Sequence, residues 1–308
     1  MGITMEKNSK IYVAGHRGLV GSYLVKKMQE EGYTNIITAT SKELDLRNSA
    51  EVAQFFEKEK PEYVFLVAAK RGGVAEYAKY PVEFLAENEQ IEINVIMNSL
   101  KNNVKKLVFV AASCVYSEDL EMFTEADLMK GWVQHATEPY ALAKAVGIKL
   151  CEYCNQEYGT KFVSMLPVNI YGITDESHTD NTSVIPAMLE RFSNAVKNQA
   201  ESVTIWGDGK TRREFLHAKD LASGILAVMN SDLNEGWVNI GYGSMVTINE
   251  LAELIAKVTG FKGKIEHDLT KPNGSHRKVL DIKKIESIGW KPEISLEEGL
   301  NEIYKAMY

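Results

Sequence analysis

Three glycines at the end of a mostly apolar run limit the fold of this chain more than any other feature. The run Lys10–Ala14 has the composition of a buried strand, and Gly15, Gly18 and Gly21 follow it as G-x-x-G-x-x-G, with a helical pattern from Leu19. Glycines between a strand and a helix let the backbone turn tightly and approach a pyrophosphate at the helix N-terminus. The sequence therefore predicts a dinucleotide-binding unit at the start of the chain.

Short apolar segments alternate with longer helical patterns through the first half of the chain. Strands are predicted at Lys10–Ala14, Asn35–Thr40, Tyr63–Ala68, Lys106–Ala111 and Phe162–Leu166. Helices are predicted at Leu19–Glu31, Ser49–Lys58, Pro81–Asn102 and Glu138–Tyr158. This alternation is typical of βαβ units. We therefore expect an α/β fold with a Rossmann-type, doubly wound parallel sheet.

Beyond residue 172 the segments become shorter and more polar. Two late helices are predicted from their first residues, because Thr247 and Ser295 are each followed three residues later by Glu, the pattern of a capping box. We expect a smaller, mixed C-terminal lobe that binds the substrate, with some exchange of chain between the lobes. The predicted boundaries are 10–172 for the dinucleotide-binding lobe and 173–308 for the substrate lobe.

Composition excludes several classes of function. The net charge of −7 argues against a broad nucleic-acid-binding surface. No apolar run reaches the length of about 20 residues that spans a bilayer, and Met1–Ser9 lacks an apolar signal segment, so we expect a cytoplasmic protein without membrane partners. The odd, sparse set of Cys114, Cys151 and Cys154 predicts reduced thiols, with neither a disulfide framework nor a metal site.

The end of the second predicted strand indicates which nicotinamide cofactor binds. A dehydrogenase that prefers NAD places Asp or Glu there for the ribose 2′-hydroxyl. Here Ser41 and Lys42 occupy this place, and the first acidic residue is Glu43. A hydroxyl and an ammonium suit a 2′-phosphate, with Arg17 as a second cation, so NADP(H) is predicted. The alternative is an exposed turn with incidental charge.

Tyr140 and Lys144 are the catalytic candidates. Positions i and i+4 share one face of a helix, and a nearby ammonium lowers the pKa of a phenol. The phenol can exchange a proton with a carbonyl or alcohol oxygen while hydride moves to or from carbon. Tyr23 and Lys27 have the same spacing, but their helix follows the glycine loop, where the pair would face away from a nicotinamide.

Longer motifs add a family resemblance. They are G-H-R-G-L-V-G (15–21), A-A-K-R-G-G (68–73), S-C-V-Y (113–116), E-P-Y-A-L-A-K (138–144), P-V-N-I-Y-G (167–172), W-G-D-G-K-T-R-R-E-F-L-H (206–217) and K-P-N-G-S-H-R-K (271–278). On these blocks the chain from Lys10 onward resembles the GDP-L-fucose synthase family of extended short-chain dehydrogenase/reductases. The resemblance implies NADPH-dependent reduction at C4 of GDP-4-keto-6-deoxymannose after epimerisation at C3 and C5, in a homodimer.

The resemblance also implies roles for single residues. Tyr140 and Lys144 would serve the reduction, and Cys114 would act as the epimerisation base through its thiolate. Nucleotide and sugar contacts fall on Ser183, Arg191, Trp206, Arg213, Asn273 and Lys278. Cofactor contacts fall on Gly15, His16, Arg17, Gly18, Leu19, Val20, Gly21, Ser41, Lys42, Asp45, Leu46, Ala68, Ala69, Lys70, Ala111, Ala112, Lys144, Pro167, Asn169 and Ile170.

Two positions depart from the family pattern. Ala112 stands where the family has a Ser or Thr that hydrogen-bonds the substrate oxygen, and losing one such donor costs on the order of 10²–10³ in rate. The adjacent Ser113 is the candidate replacement. Ser183 stands where the family has a His that is the acid partner of the cysteine, and His178 is the alternative acid.

These departures leave three functions open. The first is a reductase acting at C4 of a GDP-linked 4-keto-6-deoxy sugar, with or without 3,5-epimerase activity. The second is a reductase-only or epimerase-only enzyme on another nucleotide-4-ketosugar. The third is a non-catalytic binding protein, against which the intact Tyr140–Lys144 pair and Cys114 argue. By resemblance, a dimer would use the long helices Pro81–Asn102 and Glu138–Tyr158.

Overall fold

A computed structural model describes residues 4–120, 122–173, 184–271, 273 and 279–308. The strands are β1 (Ile11–Ala14), β2 (Ile36–Ile37), β3 (Tyr63–Leu66), β4 (Lys106–Val110), β5 (Phe162–Pro167), β6 (Asn169–Tyr171), β7 (Ser202–Trp206), β8 (Arg212–Arg213), β9 (Phe215–His217), β10 (Trp237–Ile240), β11 (Val246–Thr247) and β12 (Lys264–Asp268). The helices are α1 (Leu19–Glu30), α2 (Ser49–Glu59), α3 (Val74–Lys79), α4 (Pro81–Lys101), α5 (Glu138–Tyr158), α6 (Val184–Lys197), α7 (Ala218–Met229), α8 (Ile248–Thr259), α9 (Lys283–Glu286) and α10 (Leu296–Met307).

Six parallel strands form the central sheet, in the order β2-β1-β3-β4-β5-β10. Helices α1 and α7 pack together, as do α2, α4 and α5, so that the two groups cover the two faces of the sheet. Every residue of β1, β3 and β4 is buried, as expected for strands covered on both faces. The predicted Rossmann-type, doubly wound parallel sheet is confirmed.

Local sequence sets the ends of several helices, including α5, which carries Tyr140 and Lys144. Helix α5 has a proline in its first turn and ends at Gly159, whose φ of +67° is in the left-handed region. Helix α8 begins with the predicted capping box: Thr247 Oγ1 accepts from the Glu250 amide at 3.0 Å, and the Glu250 carboxylate accepts from the Thr247 amide at 2.6 Å. Ser295 caps α10 in the same way.

A second, smaller core lies beside the sheet. Helices α6, α8 and α10 enclose apolar side chains that include Phe192, Ile205, Phe215, Leu251 and Leu300. Two later elements return to the large core, because α7 packs against α1 and β10 pairs with β5. The chain therefore passes between the cores more than once, and the single boundary at residue 172 stays a prediction.

Candidate active site

The order of the strands reverses between β1 and β3. The chain leaves β1 for β2 on one side and then crosses to β3 on the other. In open parallel sheets, ligands bind beyond the carboxyl ends of the strands at such a switch point. Gly15 follows β1 at this edge, and Ala68 lies just beyond β3. The glycine loop therefore lies where the fold places a ligand.

The three glycines have different reasons to be there. Gly15 has a φ of +93°, and a Cβ on it would lie 2.6 Å from the backbone nitrogen of Ala68. A Cβ on Gly21 would lie 2.1 Å from the carbonyl oxygen of Gly15. Both positions are closed by the protein's own packing, whereas the nearest atom to a Cβ on Gly18 is 3.5 Å away. The face at Gly18 is thus left open for a ligand.

The start of α1 offers unsatisfied donors to that open face. Gly18 is the N-cap and has no side chain to cap the first turn, whose amides lack partners within the helix. His16 Nδ1 is buried and has no hydrogen-bond partner among the described residues. Amides at a helix N-terminus attract anions. The residues present therefore fit the pyrophosphate of a dinucleotide.

The turn after β2 lies beside the glycine loop. The Glu43 carboxylate accepts from the amide and the hydroxyl of Thr40, both at 2.8 Å, and these hydrogen bonds lower the pKa of Glu43. Burial lowers the pKa of His16, with a contribution from Arg17, while the charge of Glu43 raises it. Glu43 is thus turned back onto its own turn, and the exposed Lys42 is presented beside the glycine loop.

Two of the predicted cofactor residues, Asp45 and Lys70, form contacts with charged side chains of the protein itself. Asp45 accepts two hydrogen bonds from the Arg47 guanidinium, at 2.9 and 2.8 Å. Lys70 Nζ lies 2.7 Å from Glu87 Oε1. The fully buried Asn88, which is not among the predicted site residues, accepts from the Lys70 amide at 2.8 Å and donates to its carbonyl at 3.0 Å. Asn88 therefore fixes the loop after β3 through its backbone.

The other predicted cofactor positions cluster at the same edge. Ala68 and Ala69 follow β3, and Ala111 and Ala112 follow β4. The carbonyl of Leu46 is held by the side chain of Asn94 at 2.9 Å. The remaining positions lie in or around the glycine loop, the β2 turn and the β5–β6 junction: Leu19, Val20, Ser41, Pro167, Asn169 and Ile170. Their contacts with a cofactor stay predictions.

Tyr140 and Lys144 lie one turn apart at the start of α5. Both are buried, and Lys144 Nζ lies 5.5 Å from the centroid of the Tyr140 ring. Lys144 also donates to the carbonyl of Val110, the last residue of β4, at 3.3 Å. The pair is therefore fixed to the sheet at the edge that carries the glycine loop.

The pKa of Tyr140 shifts opposite to the sequence-based expectation. Burial raises it, the positive charge of Arg71 lowers it, and Cys114 and Glu92 raise it further. Desolvation of the phenolate outweighs nearby positive charge in this buried place. The phenol therefore keeps its proton near neutral pH, which is the state that a proton donor to a carbonyl oxygen needs.

A small apolar cluster surrounds the Tyr140 ring. Tyr77 stacks on it with 5.7 Å between ring centroids and 27° between the planes. Cys114 belongs to the same cluster and lies with Ser113 in a short 3₁₀ turn directly after β4, where both are buried. Tyr77 and Arg71 could not be recognised as neighbours of Tyr140 from the sequence, because neither belongs to a motif with helical spacing to Tyr140.

The predicted nucleotide-sugar residues lie mainly around β7. Arg191 on α6 donates to the carbonyl of Thr204 at 2.7 Å, and Trp206 ends β7 with its side chain exposed. Asn273 accepts from the amide of Asp208 at 2.8 Å in the turn that follows. Arg213 lies in β8, which pairs with β11. Three further residues lie outside the described part of the chain: His178, Ser183 and Lys278.

Nothing in the described ranges suggests a metal or a membrane span. Cys151 and Cys154 lie on the buried side of α5, and burial raises the pKa of both thiols. Those ranges contain no group of three or more His, Cys, Asp or Glu side chains that could hold a metal ion. They also contain no helix long and apolar enough to cross a bilayer.

A profile of the NAD dependent epimerase/dehydratase family matches residues 11–241. The chain belongs to this family. It is 45% identical over 300 residues to GDP-L-fucose synthase 1 of Arabidopsis thaliana, covering 97% of this chain and 93% of that protein. It is 40% identical over 307 residues to the GDP-L-fucose synthase of Escherichia coli, covering 96% and 95%. The predicted resemblance is therefore confirmed.

A solved structure with the same fold extends this comparison. The GDP-mannoheptose C4 reductase of Campylobacter jejuni, with NADP bound, is 35% identical and has a TM-score of 0.88. The match covers 98% of this chain and 99% of that one. The chain is thus similar both to GDP-L-fucose synthases and to a protein described as a GDP-mannoheptose C4 reductase.

Proposed function

We propose that this chain reduces the C4 carbonyl of a GDP-linked 4-keto-6-deoxy sugar with NADPH. The observation that carries the proposal is the buried Tyr140, one helical turn from Lys144, at the sheet edge that also carries the glycine loop. The similarity to GDP-L-fucose synthases and to a GDP-sugar C4 reductase with NADP bound supports it. A protein that only binds dinucleotides has no need of this pair.

The residues divide the work between binding and proton transfer. Bound NADPH would supply hydride to C4. The amides at the start of α1 would hold the pyrophosphate, and Lys42 with Arg17 would hold the 2′-phosphate. Tyr140 would donate its phenolic proton to the C4 oxygen. On the substrate side, Arg191 and Trp206 would contact the diphosphate and the base.

Oxidation of NADPH, followed at 340 nm with GDP-4-keto-6-deoxymannose, tests the proposal. We expect turnover with NADPH and a product with a hydroxyl at C4. Binding of NADPH without any oxidation would contradict the assignment of this substrate.

Epimerisation at C3 and C5 is a second candidate activity. The favouring observation is that Cys114 packs in the same apolar cluster as Tyr140. A thiolate there could take a proton from a carbon next to the C4 carbonyl, whose acidity the ketone raises.

The choice of NADPH over NADH is expected to depend on the turn after β2. The variant Lys42→Ala removes an ammonium proposed to pair with the 2′-phosphate, and such charged hydrogen bonds contribute about 1.5–3 kcal/mol. We expect KM for NADPH to rise about tenfold or more, with KM for NADH unchanged. The control Lys305→Ala, near the end of α10, removes a charge far from this edge. An equal rise in KM for both cofactors would contradict this role.

We also propose a homodimer formed through α4 and α5. Val82 and Ile93 lie eleven residues apart on one face of α4, and Val146 and Tyr153 lie seven apart on α5. All four are large apolar side chains with more than 40% of their surface exposed. Exposed apolar surface of this kind marks interaction sites.

A charge on this surface is expected to produce monomers. For Ile93→Asp combined with Val146→Asp, we expect analytical ultracentrifugation to give the mass of one chain, where the unmodified protein gives twice that mass. The control is Leu269→Asp, an exposed apolar residue on the turn after β12. A dimer that persists in the double variant would place the interface elsewhere.

We propose a cytoplasmic location. The buried, unactivated thiols of Cys151 and Cys154 support it, because such thiols persist in a reducing compartment.

A further inference from the structure

Lys144 has a buried partner outside the motifs that identified it. Glu92, in the middle of α4, places Oε1 2.9 Å from Lys144 Nζ, and each side chain is only 1% exposed. The contact is an ion pair and not an aligned hydrogen bond. Neither carboxylate oxygen has a hydrogen-bond donor in good geometry within the described ranges. Glu92 thus places a carboxyl group directly beside the Lys144 ammonium, and because burial raises the pKa of Glu92 to about 7, this carboxyl is charged on the alkaline side of neutrality.

The packing of the two helices is shaped around this carboxylate. A Cβ on Gly147 of α5 would lie 2.4 Å from Glu92 Oε2 and 2.7 Å from the Phe109 ring. Glycine in the middle of a helix is destabilising relative to alanine, so its place here has a steric reason. Burying two charges is also costly unless the geometry repays it. The glycine in the middle of α5 and the buried charged pair are both unfavourable for stability. Their presence together indicates that Glu92 has a function.

The contacts of Lys144 show what that function is. An ammonium has three N–H donors. The Val110 carbonyl accepts one at 3.3 Å, and the Glu92 carboxylate draws the ammonium toward α4. The rings of Phe109 and Tyr140 lie at 4.7 and 5.5 Å from Nζ, measured to their centroids. These contacts fix the ammonium below Tyr140.

We infer that Glu92 is a positioning residue: it holds the Lys144 ammonium in place and balances its charge, so that Tyr140 retains its proton until the sugar oxygen takes it. The inference rests on the proposed reduction, in which Tyr140 is the proton donor. Burial is the main reason that the phenol keeps its proton beside the lysine, and the charge of Glu92 acts in the same direction. Glu92 itself touches neither substrate nor cofactor in this role.

The charged and titratable groups around Glu92 belong to the two packed helices. Burial raises the pKa of Glu92, Lys144 on α5 lowers it, and Glu89 on α4 raises it. Glu92 in turn raises the pKa values of Tyr140 and Cys151. Strand β4 contributes the Phe109 ring and the Val110 carbonyl to the surroundings of Lys144. Removing the charge of Glu92 therefore acts on Lys144, Tyr140 and Cys151, of which the first two form the proposed catalytic pair.

The variant Glu92→Gln tests the inference, since it keeps the side-chain shape and removes the charge. The uncompensated ammonium then favours the phenolate of Tyr140, so the alkaline limb of the kcat profile is expected to move to lower pH. We expect kcat at neutral pH to fall about tenfold, with KM for the sugar nucleotide unchanged. Titration of NADPH fluorescence gives the binding of the cofactor independently of turnover.

The matched control is Glu89→Gln, the same change one turn earlier on α4, which is expected to leave the pH profile in place. Glu92→Asp keeps the charge and shortens the reach, so kcat is expected to fall without movement of the alkaline limb. This variant decides the question if Glu92→Gln does not fold. Wild-type kcat and NADPH affinity in Glu92→Asp, or an unmoved limb in folded Glu92→Gln, would overturn the inference. An inactive wild type that binds NADPH would instead refute the proposed substrate.

Discussion

Tyr140→Phe is expected to lower kcat for the reduction by about 10³-fold, within the range that general acids contribute. The variant removes only the hydroxyl. The phenyl ring retains its stacking on Tyr77 and its place in the buried cluster, so folding and NADPH affinity are expected to be preserved. Stopped-flow or steady-state NADPH oxidation measures kcat, and fluorescence titration measures the cofactor affinity.

A matched control lies on the same helix. Tyr158→Phe makes the same change at the exposed end of α5 and is expected to keep wild-type kcat. If Tyr140→Phe retained kcat within about threefold, another group would have to donate the proton, and the function of the Tyr140–Lys144 pair would have to be reassigned.

Features with a local pattern could be predicted from the sequence. The glycine loop, the helix that begins near Glu138 and the two capping boxes are each encoded within a few residues, and the structure forms all of them. The buried strands were also recognisable, because a parallel sheet covered on both faces needs continuous apolar runs. The Rossmann-type sheet follows from these patterns together.

Features that depend on contacts between distant segments could not be predicted in this way. Glu92 lies 52 positions before Lys144, and in a helix of mixed composition its carboxylate resembles a solvent-exposed charge. The sequence likewise gives no sign that Asn88 forms hydrogen bonds with the backbone of Lys70. For Tyr140, the spacing to Lys144 predicted a lowered pKa, but burial, which only the folded chain reveals, sets the direction.

Ala112 stands where the family pattern has a Ser or Thr, and this departure puts the epimerase activity in question. The second prediction therefore concerns the protons at C3 and C5 of the substrate. In deuterated water, epimerisation through Cys114 places deuterium at both carbons of the product, and NMR of the product reads it directly. We expect Cys114→Ala to reduce this incorporation by at least about 10²-fold, because no other thiol lies in the cluster around Tyr140 within the described residues.

The same variant is expected to lose epimerisation and to keep the reduction. Cys114→Ala removes one sulfur from a buried apolar cluster and leaves Tyr140 and Lys144 in place, so NADPH oxidation with an already epimerised 4-keto sugar is expected to continue. The control Cys151→Ala, which removes a buried thiol eleven residues further along α5 and outside the cluster around Tyr140, is expected to retain deuterium incorporation. Turnover of the unmodified protein without deuterium would exclude the epimerase activity. The chain would then act as a C4 reductase without epimerase activity.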